Sequence, residues 1–426
     1  MKNVLQSIYY QDLKNKEEMK IKYFKGRVSR GFFSIFATRI VLRISMGLLG
    51  MFLPIFLYNF FNENIFLVFA YYFVGYFLYA SSIAIACQFL NKIGLRLSLR
   101  ISVVIGAVYY LFLYFLDIFS RIEVFSLQNK TLLWLIVLII VTQVIQRSLY
   151  WVPLNTDMAK FTNKTNRARQ VSLLEAATLV LGAVTPLISG IILTYYQYDA
   201  LFSIALVIYL IALIPLMFLP RTREKYTWTY KKTWKEFFSK ERRGAMLAYA
   251  GDGAEAVVGA VIWPIFIFEL LDGNYFEVGA LSSLIVIFTI ILQLMIGGYA
   301  DKGSKKKMLH WGSALYALGW IIKIFIVTAF HIFIVSAYHN LMKIIARTPF
   351  NALSYEKAAD EGHYVDEYTA LHEMAVNYGK TAMIVLSSIL VCFFSLEWTF
   401  ILAALASLVM NFITQTQVKK TGRKSI

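Results

Sequence analysis

Apolar runs of the length a bilayer demands recur along this chain, and that recurrence constrains it more than any single motif. A hydrocarbon core of about 30 Å needs about 20 apolar residues of helix, because a lipid-facing backbone must satisfy its own N–H and C=O groups. Twelve segments meet the requirement: 33–60, 64–89, 101–118, 131–155, 170–195, 200–220, 244–270, 275–299, 308–329, 331–353, 367–393 and 396–415. They predict an all-α polytopic membrane protein with twelve transmembrane helices. Hydrophobic residues make up 59% of the chain and charged residues 16%, which leaves too little polar surface for a water-soluble globule. The longest polar stretches, 1–30 and 221–243, are each shorter than the roughly 50 residues of a small self-supporting domain.

The formal charge of +17 does not point to nucleic acid, because Lys and Arg sit in short breaks between apolar runs rather than along one solvated face. Alternate breaks hold Lys92, Arg96 and Arg100, then Lys160, Lys164, Arg167 and Arg169, then nine basic residues within 221–243, then Lys302, Lys305, Lys306 and Lys307. The opposite breaks hold only Arg121 and Lys130 beside acids such as Glu63, Asp272 and Glu397. The positive-inside rule therefore predicts both termini in the cytoplasm, with basic tails at 1–32 and 416–426. No apolar core of signal-peptide length precedes the first segment, so the basic N-terminal tail is expected to stay. Cys87 and Cys392 lie far apart inside apolar runs, without metal or disulfide spacing, and no metal or cofactor is expected.

Residues 221–243 interleave Trp228, Trp234, Phe237 and Phe238 with charges, which predicts a basic amphipathic helix at the cytoplasmic interface. This linker divides the chain into a six-helix half at 33–220 and another at 244–415. The halves echo each other. Arg147 precedes Pro153-Leu154-Asn155 and is followed by Glu175; Arg347 precedes Pro349-Phe350-Asn351 and is followed by Glu373. Internal repeats of this kind are the usual construction of secondary transporters.

The break after the eighth segment reads Gly297-Gly298-Tyr299-Ala300-Asp301-Lys302-Gly303-Ser304-Lys305-Lys306-Lys307. It resembles the G-x-x-x-D-[RK]-x-G-x-[RK]-[RK] loop of the major facilitator superfamily, with Ser304 in place of the later glycine. The matching break after the second segment keeps Lys92, Gly94 and Arg96 but has Cys87 for the glycine and Asn91 for the aspartate. Gly182-Ala183-Val184-Thr185-Pro186-Leu187-Ile188-Ser189-Gly190 is similar to the family's antiporter motif, with Thr185 and Ser189 where glycines are expected, so it does not establish antiport. The resemblance implies two six-helix pseudo-repeat bundles, alternating access to a small-molecule site, and a central cavity lined by helices one, four, seven and ten. It also makes Asp301 a conformational latch against a neighbouring helix end, whereas Lys305, Lys306 and Lys307 serve equally as topology determinants.

Charges buried within spans are expensive and mark cavities or partners. At 1.5 Å per residue, Arg43 lies about 15 Å into the first segment, Glu255 about 17 Å into the seventh and Lys343 about 15 Å into the tenth. His339, Lys343 and Arg347 recur every four residues and share a helix face, as do Glu373, Asn377 and Lys380. Asp252 and Glu255 are neighbours three residues apart, and paired carboxylates resist joint ionisation, which suits proton coupling. The competing account is that they neutralise Arg43 or Lys343. Arg43, Lys343, His339, Lys380 and Trp263 are the candidate substrate ligands. Arg147 with Glu175, and Arg347 with Glu373, are expected to form intracellular gating or bracing pairs. Lys323, on a helix expected at the periphery, reads as structural.

Midplane cations outnumber acids, so the expected solute is a small polar anion or zwitterion, carried with protons across the cell membrane by a monomer. The carboxylates of the seventh segment disfavour an organophosphate antiporter. Two alternatives stand: multidrug or organic-cation efflux on the same fold, and a polytopic lipid-modifying enzyme. The latter is disfavoured because no span end gathers His, Asp and Glu at metal-ligand spacing.

Overall fold

The computed structural model describes residues 28–121, 130–161, 167–221, 226–296, 304–360 and 365–415. Among them the secondary structure is helical, with no strand, and eleven helices are long and apolar enough to cross a membrane. Helices α1 (Arg30–Leu49) and α2 (Phe52–Phe60) form the first of these, followed by α3 (Ile65–Ile93), α4 (Leu95–Ser120), α5 (Lys130–Phe161) and α6 (Arg167–Tyr195). Helices α7 (Tyr198–Ile211) and α8 (Leu213–Met217) close the first half, and the short α9 (Tyr230–Phe237) lies in the linker. The second half opens with α10 (Arg243–Val257), a π-helical turn at Val258–Ile262 and α11 (Trp263–Leu270). Then come α12 (Tyr275–Ile296), α13 (Lys305–Lys323), α14 (Ala329–Asp360), α15 (Val365–Val391) and α16 (Thr399–Val409).

Helix α13, the ninth sequence segment, falls outside the eleven because Lys305, Lys306 and Lys307 open it and Lys323 ends it. It nevertheless packs between α14 and α16. Large apolar side chains point outward around the bundle, Leu294, Phe325 and Trp134 among them. That surface is far more than a soluble protein exposes and suits a lipid solvent.

Prolines bend rather than end these helices. Pro153 lies inside α5 and Pro349 inside α14, so both helices run past the limits expected from hydropathy. A helical proline leaves the carbonyl four residues earlier without its donor. At Pro153 that carbonyl is Leu149, and Ser98 of α4 supplies the replacement by donating to it at 2.8 Å. Pro264 follows the π-helical turn at Val258–Ile262, which takes up the misfit in the seventh span. The first span breaks at Gly50, four residues before Pro54, so the corresponding helices of the two halves are both discontinuous.

The halves meet along two seams. Helix α6 lies against α12, and α3 against α15. At the first seam a Cβ on Gly279 would stand 2.4 Å from the Pro186 carbonyl oxygen, and one on Gly190 2.7 Å from that of Tyr275. Only glycine permits this backbone approach. Both hairpins at this end use the same turn, Phe61-Asn62-Glu63-Asn64 and Leu271-Asp272-Gly273-Asn274, with positive φ at Asn62, Glu63, Asp272 and Gly273. We call this the hairpin end.

At the opposite, linker end, Asn91 of α3 both donates to and accepts from the backbone of Tyr226, at 2.6 and 2.8 Å. Thr227 donates its N–H and hydroxyl to Glu367 of α15 at 2.7 and 2.6 Å. The linker is thus strapped to both halves. Burial pushes the Tyr226 hydroxyl up from its ordinary pKa, so it stays protonated where it meets Thr233. Trp234 and Phe237 pack against Tyr378 of α15, and Trp228 is buried under Lys232 and Arg242. The expected amphipathic linker helix therefore turns Trp234 and Phe237 toward the protein, while Tyr230 and Phe238 stay exposed.

Candidate functional site

In the second half, α10, α13 and α14 bring their charges together. Glu255 is fully buried, accepts from the Tyr316 hydroxyl, and has Lys343 Nζ at 3.6 Å and Arg347 Nη2 at 3.3 Å. The same Arg347 nitrogen lies 2.6 Å from Asp252 Oδ1. The four-residue spacing on α14 explains this: Lys343 and Arg347 stack one turn apart on the face that looks toward α10. Both cations keep about a third of their side chains exposed, 34% and 30%, while Glu255 has none. Lys343 therefore borders a hollow that Glu255 does not line.

His339, one turn before Lys343, is buried with its ring 4.6 Å from those of both Tyr316 and Trp320. Lys323 at the end of α13 is 2% exposed, and its ammonium sits 3.8 Å from the Trp263 ring centroid and 4.1 Å from that of Trp320. The sequence reading set Lys323 at the periphery. Its place in the middle of this wall corrects that, and a lysine interrupting an apolar run was the available signal.

The first half presents a different wall. Arg147 of α5 lies 5.2 Å from the Tyr76 ring centroid, with the phenols of Tyr109, Tyr79 and Tyr71 around it. Lys380 of α15 approaches the same Tyr76 ring at 4.8 Å. Arg43 of α1 keeps an exposed side chain near Arg39, Tyr150 and Glu175. Among the described residues, none of Arg43, Arg147 and Lys380 forms an ion pair.

Two expected pairings are corrected by this geometry. Arg347 binds Asp252 and Glu255 rather than Glu373, because those carboxylates lie across from its face of α14. Glu373 instead accepts from Tyr79 of the other half at 3.4 Å. Glu175 is exposed and makes no ion pair with Arg147, whose surroundings are phenolic. Asp252 and Glu255 are likewise not left to repel each other, since one guanidinium serves both. Trp263 lines the hollow but turns its ring to Lys323. Asp301 and the rest of its loop, 297–303, lie outside the described residues.

At the hairpin end the two walls are pinned together. Tyr58 of α2 donates to Glu269 of α11, and Asn59 donates to the Tyr275 hydroxyl at 2.9 Å. Rings of Phe52, Tyr198, Phe268 and Tyr275 pack around that contact. The two helical halves are thus pinned together at one end, and Met51 of the first joins residues of the second around the hollow beside Lys343.

The sequence model of the Major Facilitator Superfamily matches residues 35–251 and again 244–424, one match per half. The chain belongs to this superfamily. It is a multi-pass membrane protein and a secondary transporter, built to bind a small-molecule substrate within the bilayer. No curated protein matches the chain. The double match agrees with the repeat read from Arg147 and Arg347, and it makes the charged hollow between the halves of this transporter its candidate substrate site.

Proposed function

We propose that this transporter moves a small polar anion or zwitterion together with protons by alternating access. The observation that supports the reading is the imbalance across the hollow. Asp252 and Glu255 are engaged by Arg347 and Lys343, while Arg43, Arg147 and Lys380 form no ion pair among the described residues. A cation set within a membrane span without a counter-ion is costly, and an arriving anion relieves that cost. On this reading Arg43, Arg147 and Lys380 hold the solute from one side and Lys343 and Arg347 from the other.

Coupling follows from competition. As the solute's negative charge draws Lys343 and Arg347 toward itself, Glu255 loses counter-ions and takes up a proton. Asp252 shares Arg347 and responds with it. The halves 33–220 and 244–415 rock about the hollow, with both tails cytoplasmic in the cell membrane. The stoppered hairpin end then faces outward, and the structure corresponds to a state closed to the outside. Tyr79 with Glu373 is a contact that exchanges as the linker end closes, and Asp301 keeps the latch role that the family's loop implies.

Proteoliposome uptake of a panel of small carboxylates and amino acids, with and without an inward proton gradient, tests this directly. Glu255→Gln is expected to abolish gradient-driven accumulation while sparing counterflow, and unchanged accumulation rejects the coupling role. Organic-cation efflux is the second reading, since Asp252 and Glu255 are carboxylates beside an aromatic wall. It predicts inhibition by lipophilic cations and indifference to anions, the reverse of the first.

A further inference from the structure

A cavity of about 210 Å³ opens beside Lys343, walled by Trp263, Trp320, Lys323, Ser336 and His339 of the second half with Met51 of the first also in its lining. At about 30 Å³ for each water of the liquid, it has room for roughly seven waters or a solute of similar bulk. Its remaining lining includes Pro264, Ile267, Ile285 and Val286 and contains no carboxylate. Trp320 Nε1, His339 Nδ1 and Ser336 Oγ are buried without a hydrogen-bond partner, on residues 1%, 3% and 3% exposed. Buried polar atoms are ordinarily satisfied, and three orphans on one cavity wall indicate something that satisfies them together.

We infer that this cavity is a binding subsite for a compact amphiphilic monoanion, such as a carboxylate on a small ring. The inference rests on the anion reading above and names the part of the solute that this wall takes. The lining residues carry two ammonium groups, an indole N–H, the hydroxyls of Ser282 and Ser336 and the Asn340 amide, and His339 adds a donor or acceptor nitrogen according to its tautomer, so positive charge predominates. An anion satisfies such a set and a cation does not. Lys323 is held between two indoles at 3.8 and 4.1 Å rather than against a carboxylate, so its charge is positioned yet not neutralised by an acid in the cavity. The aliphatic side chains opposite accept the ring.

The test is equilibrium binding of radiolabelled benzoate to the full-length protein in lipid nanodiscs, with benzylammonium as a competitor of the same shape and opposite charge. Saturable benzoate binding that benzylammonium leaves untouched is the expected result. Lys323→Gln should weaken it by at least about tenfold, the loss of one charge-assisted contact. Trp320→Phe, which keeps an aromatic ring but removes the indole N–H together with the pyrrole part of the ring system, should weaken it several-fold, and it carries the test if Lys323→Gln does not fold. Absence of saturable binding, equal competition by benzylammonium, or wild-type binding by Trp320→Phe overturns the subsite. Failure of the transport reading looks different: anion uptake is then missing from proteoliposomes although benzoate binding and its dependence on Trp320 persist. If uptake of small carboxylates proceeds and Lys323→Gln and Trp320→Phe leave it unchanged, the subsite is wrong and the transport reading stands.

Discussion

Arg147 and Arg347 hold comparable places in the two halves, each on a long helix shortly before a proline, yet their surroundings are opposites. Arg347 binds two carboxylates, one of them with no exposed surface. Arg147 faces a ring of tyrosines. Duplication keeps the backbone position and leaves the partners free to diverge. One half then holds Arg347 in a network with Asp252, Glu255 and Lys343, the other a cation with no ion pair among the described residues. An asymmetric hollow of this kind gives a solute a differential reason to favour one arrangement of the halves over another, which alternating access requires.

The largest expected effect comes from breaking the balanced side. Arg347→Met leaves Asp252 and Glu255 without their shared guanidinium. Removing one partner of a buried pair costs about 3–5 kcal/mol, and the exposure of Arg347 places this case near about 3 kcal/mol. Thermal unfolding in detergent should show it, and Arg347→Met with Asp252→Asn should recover part of the loss. If Arg347→Met unfolds like the wild type, the network is not a stabilising one. Arg147→Met is the contrasting case. No ion pair is lost among the described residues, so stability should change by less than about 1 kcal/mol, while solute uptake falls by at least about tenfold. Equal effects of the two substitutions on both measurements would dissolve the comparison.

This contrast also marks what the sequence could disclose. Repeated apolar runs announced the helical membrane fold, because the bilayer fixes their length and leaves little else to choose. The deep charges Glu255, Lys343 and Arg43 were legible because ionised groups in apolar runs need a reason to be there. Which charge met which was not legible. Spacing along one helix fixes a face, but the pairing of Arg347 with α10 rather than α15 depends on the packing of three helices. The sandwich of Lys323 between Trp263 and Trp320 required knowing that α13 turns inward. Tyr76, with Arg147 and Lys380 on its ring, looked like one tyrosine among many in an aromatic-rich chain.

A smaller effect tests the stopper at the hairpin end. Tyr58→Phe removes the hydroxyl that reaches Glu269. Glu269 is exposed, so the loss should be about 1 kcal/mol, below the range of a hydrogen bond to a buried charge. About that much free energy shifts a two-state population by roughly fivefold. A cysteine at Met51, which lines the hollow, should then react faster with an impermeant thiol reagent added outside. No change in labelling would mean that aromatic packing alone holds this end shut.

Two of the helical prolines, Pro153 and Pro349, give the smallest and cleanest test of how far the halves have diverged. Pro153 and Pro349 each deprive an upstream carbonyl of its donor, but the first half has Ser98 at 2.8 Å from Leu149 O. Ser98→Ala should cost about 1 kcal/mol, the ordinary worth of one buried hydrogen bond. Pro153→Ala restores the missing N–H, so Ser98→Ala introduced into that background should cost much less, because the helix then satisfies Leu149 itself. A double-mutant cycle in thermal unfolding isolates this coupling. Additive costs would show that Ser98 acts through packing of α4 on α5 rather than by repairing the proline.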